Sequence, residues 1–167
     1  EMKVIVGRDP GETERARASG QAVAIYVGQG LEDWTPETPD DKGLGGSETW
    51  AAKTAQALAV MGHFVVVYGM VDGFWGGVLY QHYRKYDSAD PTLGQRCDLL
   101  IVSRRPDLLD SRPAAERVVF MAHDTSYGPE LTEERVANMD AYLVLSRWHE
   151  AHTLEAYPFL AGKTQIV

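Results

Sequence analysis

Gly43-Leu44-Gly45-Gly46-Ser47-Glu48, continuing through residues 49–61 and closed by Gly62, reads as a glycine-rich loop that runs straight into a helix. Ser47 is a good N-cap, Glu48 suits the positive end of the helix, and Gly62 can stop it in the left-handed conformation. Ala51, Ala55, Leu58 and Ala59 recur at i, i+4, i+7 and i+8, which gives the helix one apolar face for packing on a sheet. Gly45 and Gly46 carry no side chains, so a ligand can approach the backbone where amide N–H groups converge and the helix dipole favours an anion. A phosphate or sugar phosphate is the guest such a loop suggests. The plainer alternative is that the glycines only turn the chain.

Outward from this helix, the chain alternates apolar runs with helical or polar segments. Strands are expected at 22–27, 64–68, 78–86, 98–102, 117–122, 141–145 and 163–167, and helices at 132–139 and 147–157. A long polar loop with Asp33, Trp34 and two prolines, Pro36 and Pro39, fills 28–42, and residues 69–77 read as turn. This spacing predicts an α/β fold: a Rossmann-like, doubly wound parallel sheet with helices on both faces. Residues 1–20, with an apolar run at 3–6 and a charged stretch at 12–17, carry no leader pattern and are expected to be an upstream extension or linker.

The 167 residues fit one domain, 44% of them hydrophobic and 24% charged, as expected of a soluble globular protein with no transmembrane segment. A net charge of −8 argues against a nucleic-acid partner, which calls for a basic face. The single cysteine, Cys97, allows no internal disulfide and no cysteine-based zinc cage, suits a reducing cytoplasm, and reads as a small core residue.

In open parallel sheets, ligands bind beyond the carboxyl ends of the strands. Four loops qualify: 28–46, Ser103-Arg104-Arg105, His123-Asp124 and Ser146-Arg147-Trp148. His123 can exchange a hydrogen bond or a proton with a hydroxyl near neutral pH, and Asp124 can orient one; the pair can equally be an ordinary turn. Arg104 and Arg105 offer forked donors for phosphate or carboxylate, or a solvated turn before Pro106. Ser146 suits the N-cap of the last helix. His149 and His152, three apart on that helix, lack a third ligand to make a metal site. The chain has no G-x-x-x-x-G-K-[ST] loop, no Asp-x-Asp triplet and no G-x-S-x-G elbow, and it keeps only two glycines of the dinucleotide fingerprint.

Gly-Leu-Gly-Gly-Ser-Glu opening a helix that ends in Met61-Gly62-His63, the strand Phe64-Val65-Val66-Val67-Tyr68, Val119-Phe120-Met121-Ala122-His123-Asp124, and Asp140-Ala141-Tyr142-Leu143-Val144-Leu145-Ser146-Arg147-Trp148 together resemble the N-terminal domain of a retaining glycosyltransferase of family 4. The resemblance covers residues 21–167. It implies half of a two-domain GT-B architecture, in which a C-terminal domain with a pair of glutamates supplies most of the donor site. The implied partners are a nucleotide-sugar donor, a sugar or glycan acceptor and that second domain, which is absent from 1–167. No metal and no cofactor is implied, because positive groups and helix N-termini stabilise the departing diphosphate. Carried over residue by residue, His123 takes the catalytic position, and Gly45, Gly46, Asp124 and Arg104 bind substrate. One half alone is expected to be inactive. Two other functions remain open on the sequence: an NAD-type Rossmann oxidoreductase, and a non-catalytic sugar- or nucleotide-binding module.

Overall fold

The computed structural model describes residues 20–30, 34–38 and 43–167. The expected apolar run at 3–6, the helix at 12–17 and Asp33 lie outside the described residues, as does all of the expected 1–20 extension except Gly20. One eight-stranded sheet organises the rest. In chain order its elements are β1 (Ala22–Tyr26), α1 (Gly46–Val60), β2 (Phe64–Gly69), β3 (Gly73–Trp75), β4 (Val78–His82), β5 (Cys97–Ser103), β6 (Ala115–Met121), α2 (Glu133–Ala137), β7 (Ala141–Val144), α3 (Arg147–Ala156) and β8 (Thr164–Ile166). The strand order is β3-β4-β2-β1-β5-β6-β7-β8, and every pair is parallel except β3 with β4. The chain steps outward from β1 through β2 to the edge strand β3, folds back into β4 between β3 and β2, then returns to β5 and steps outward on the other side. The direction therefore reverses between β1 and β5, the place where sheets of this kind open a crevice.

Alternate side chains of β1 enter different cores: Ala22, Ala24 and Tyr26 on one face, Val23 and Ile25, with Val27 just beyond the strand, on the other. Every residue of β1 and β2 is buried, which is why these strands read as continuous apolar runs rather than as alternation. Ala51, Ala52 and Ala55 of α1 pack against Val23, Ile25, Val65 and Val67, their small side chains bringing the helix close to the sheet, while Leu58 and Ala59 are partly buried beside them. Gly62 ends the helix at φ +92°, as expected. The helix begins earlier than the sequence suggested, however, at Gly46.

The other face is filled largely from turns and short helical pieces: Tyr86, Leu109, Leu131, Val136, Met139, Tyr157 and Leu160. The crossovers from β4 to β5 and from β5 to β6 contain 3-10 turns, Tyr83–Lys85 and Pro106–Leu109, where a fully doubly wound plan would have helices. The helix expected at 132–139 is only Glu133–Ala137, with Thr132 Oγ1 accepting the Arg135 N–H at its start. Residues 69–77 are not all turn. They contain β3, joined to β4 through Gly76 and Gly77, whose φ values of +55° and +84° make a two-residue hairpin that follows the twist of the strands. Cys97 is buried, as expected of a core residue, and burial pushes its thiol up to about 11. Among the described residues, no helix is long and apolar enough to cross a membrane.

Candidate functional site

Beyond the carboxyl ends of the strands lies a cavity of about 680 Å³. Its walls come from the loop after β1 (Trp34), the start of α1 (Leu44 to Glu48, and Trp50), the end of β5 (Arg104), the loop after β6 (His123 and Asp124) and the end of β7 (Leu145). The structure therefore brings Gly45, Gly46, Arg104, His123 and Asp124 together at one place. Arg105 is not among them. It grips Asp107 through Nε and Nη2 at 2.9 and 2.7 Å and belongs to the turn that follows β5.

The N-cap of α1 is Gly45, with φ −56° and ψ 149°, and no side chain caps the helix. Ser47, expected in that role, is the second helical residue instead. Its hydroxyl is committed elsewhere: Oγ donates to Glu48 Oε2 at 2.8 Å and accepts Arg104 Nη1–H at 3.1 Å. The amides of Gly46, Ser47 and Glu48 have no acceptor within their own helix, so the end of α1 presents positive potential to the cavity. A Cβ at Gly45 would collide with the Glu48 carboxylate, whereas one at Gly46 would meet nothing within 4 Å. Gly46 thus faces open space.

Arg104 sits at φ +62°, a left-handed conformation that strains a non-glycine residue by about 1–3 kcal/mol. From there its Nε donates to Asp124 Oδ2 at 2.8 Å while Nη1 reaches Ser47, tying the start of α1 to the loop after β6. Both partners of this ion pair are 43% exposed, so the pair itself adds at most about 1 kcal/mol. Its importance is geometric. Arg104 arrives already engaged by a carboxylate rather than as a free anion receptor.

The loop after β6 is fixed from several sides. Tyr127 Oη accepts the N–H groups of both His123 and Asp124, at 3.1 and 3.3 Å. His149 Nδ1 accepts the Leu145 N–H at 3.3 Å, so its Nε2 carries the proton and donates to the Asp124 carbonyl at 3.0 Å. Tyr157 Oη receives the Tyr127 N–H at 2.7 Å. His123 meets Trp50 edge to face, 5.3 Å between ring centres, and its Nε2 is buried without a partner. Ser146 caps α3 as expected, its Oγ accepting the His149 N–H. The two α3 histidines face different tasks, because His152 lies tilted against the Trp148 ring, 4.1 Å between ring centres, instead of joining His149. Among the described residues, no three His, Cys, Asp or Glu side chains cluster as a metal site.

Burial holds the His123 pKa below its ordinary 6.5, and the Arg104 cation adds to that, against smaller opposing pulls from Asp124 and Glu48. The imidazole is therefore neutral at neutral pH. The sign for stability follows: the unfolded chain takes up the His123 proton first, so stability falls as pH drops through 6.5 and levels off once the native ring is protonated. His123→Gln should flatten part of that slope. Urea titrations of the two proteins at about pH 7 and about pH 5 measure it, and an identical pH dependence would show that the ring is not depressed.

Tyr127, His149, Trp50 and Glu48 were not singled out as site residues from sequence. A scan against protein-family models finds no match for the chain, and a search of curated proteins finds no relative.

Proposed function

We infer that this domain is the acceptor-side half of a glycosyltransferase of the GT-B kind, moving a sugar from a nucleotide-sugar donor to a hydroxyl acceptor without a metal, with a second domain providing most donor contacts. The finer plan that goes with this reading is the doubly wound half-sheet facing a partner domain across a cleft. One observation carries it: the glycine-opened start of α1, the Arg104–Asp124 pair and a neutral, partly buried His123 share one cavity at the carboxyl ends of the strands. A neutral imidazole can accept the proton of an acceptor hydroxyl or donate to a sugar oxygen. Asp124, fixed at its N–H, its carbonyl and its carboxylate, is placed to orient a sugar hydroxyl. Trp50 and Leu145 give the ring face of a sugar an apolar wall. The dinucleotide alternative has less support, since the fingerprint is broken and β2 ends in Tyr68-Gly69 with no carboxylate for a ribose.

Gly46→Val is the test. Its side chain enters open cavity and not the core, so turnover of the intact protein should fall at least about tenfold while the thermal midpoint moves by no more than a few degrees. Unchanged turnover would make the glycine pair a turn and remove the main support for the reading.

A further inference from the structure

The ladder between β6 and β7 stops short of the cavity. Its last paired residues are Met121 and Leu143, and the last backbone hydrogen bond across it runs from the Ala122 N–H to the Leu143 carbonyl at 3.0 Å. Past that point the two chains become separate parts of the cavity wall, Asp124 on one and Leu145 on the other. A single side chain spans the gap. His149, 5% exposed in the first turn of α3, accepts the Leu145 N–H at Nδ1 and donates from Nε2 to the Asp124 carbonyl. Its own N–H is taken by Ser146 Oγ, so the residue that carries the ring is itself fixed. The imidazole stands in for the next rung of the sheet.

This link exists in one protonation state. With its proton on Nε2, the ring offers an acceptor to one wall and a donor to the other; a second proton, on Nδ1, sets an N–H against the Leu145 N–H. From the loop after β6 the ring is faced by His123, whose proton affinity is lowered by burial, then by Arg104 and in smaller part by His149 itself, and by Asp124, whose carboxylate is already on Arg104 of the β5 end. From α3 come the exposed Arg147, His152 against Trp148, and Glu150, bonded to Thr164 of β8 at 2.7 Å. The neighbouring phenols of Tyr127 and Tyr157 are held by backbone hydrogen bonds. Neither carboxylate, of Asp124 or of Glu150, is bonded to the imidazole, so an added proton gains no ion pair to replace the lost bond.

We propose that His149 is the positioning residue of the sugar-acceptor pocket, a proton-sensitive link that holds the Asp124 loop to the end of β7 while its ring is neutral and lets the two part when Nδ1 is protonated. The assignment rests on the reading of this cavity as an acceptor site. Asp124 supplies the carboxylate that orients a sugar hydroxyl, and Leu145 the apolar wall for the ring face, so their separation sets how well an acceptor fits. His149 touches neither the sugar nor the reacting atoms.

The test has two arms. Nitrogen NMR of the full chain, wild type and His123→Gln, is followed from about pH 8 to about pH 5 at the His149 ring, the Leu145 amide and the Asp124 carbonyl. The expected result is a neutral His149 ring protonated at Nε2 at the upper end, with the Leu145 and Asp124 signals moving at the His149 midpoint in both proteins. In the second arm the intact protein transfers sugar from UDP- and GDP-linked donors to a panel of methyl glycosides. His149→Leu, which removes both bonds, raises the acceptor KM at least about tenfold and leaves kcat within about threefold. His149→Gln, which can restore the donor but takes up no proton, recovers part of that loss and abolishes the rise of KM in acid. A ring protonated at Nδ1, or Leu145 and Asp124 signals that move with His123 and not with His149, overturns the proposal. So does a wild-type acceptor KM in both folded variants. If the spectra show the link but the intact protein moves no sugar, the transferase reading fails and the His149 link stands.

Discussion

Phe120→Ala is expected to lower the unfolding free energy by about 3–5 kcal/mol. Phe120 is fully buried in β6, paired in register with Val102 of β5 and Tyr142 of β7. Its ring stacks on Tyr142 at 5.2 Å and 17°, and takes the edge of Tyr127 at 5.2 Å and 89°. Truncation removes the buried ring and opens a cavity between layers that cannot close, because the sheet holds the backbone on both sides. Total stabilities of domains this size are about 5–15 kcal/mol, so the variant should sit close to unfolding. The lesion also spreads to the site, since Tyr127 loses its packing and its hydroxyl anchors His123 and Asp124. Phe120→Leu, which refills most of the space, should cost less than about 1.5 kcal/mol. Urea titrations check both. A Phe120→Ala midpoint close to the wild type, at unchanged slope, would mean that this aromatic cluster does not support the sheet.

The sheet was legible because its central strands are buried on both faces. A run such as Val65-Val66-Val67 has few other places to go: residues 64–68 and 98–102 fall wholly on observed strands, and the run at 141–145 overruns β7 by one residue, Leu145. β3 escaped notice for a physical reason: three residues beginning with glycine are too short to show a period, although Gly76-Gly77 between Trp75 and Val78 is a strong hairpin signal. The N-cap was misassigned because serine ranks well in local preference, while the pull of Arg104 on Ser47 comes from 57 residues away. Glycine at the N-cap needs only the right backbone angles. The clustering of Gly45, Gly46, Arg104, His123 and Asp124 was readable from one rule, that ligand sites lie past the carboxyl ends of parallel strands. Tyr127 and His149 were not readable, because their part is to hold backbone atoms of the His123 loop, and a tyrosine or histidine in sequence gives no sign of which peptide it will bind.

His123→Ala should reduce kcat/KM for sugar transfer by about 100-fold, about 2.7 kcal/mol of transition-state stabilisation. The ring is uncharged at neutral pH, lines the cavity beside Gly46 and rests its edge on Trp50, so its loss removes a hydrogen-bonding group at the reacting end of the site. The backbone of the loop keeps its anchors, because Tyr127 and His149 hold peptide groups and not the imidazole. The fold should therefore survive. The ring is only half-buried, and its removal opens toward the cavity rather than the core.

Transfer of radiolabelled sugar from UDP- and GDP-linked donors by the intact protein, measured with the chelator EDTA present for wild type and His123→Ala side by side with their thermal midpoints, tests the reading most directly. Metal-independent transfer that drops by about 100-fold in the variant, at midpoints within a few degrees of each other, is the predicted result. Undiminished transfer by His123→Ala, or a wild type that moves sugar from neither class of donor, would contradict it.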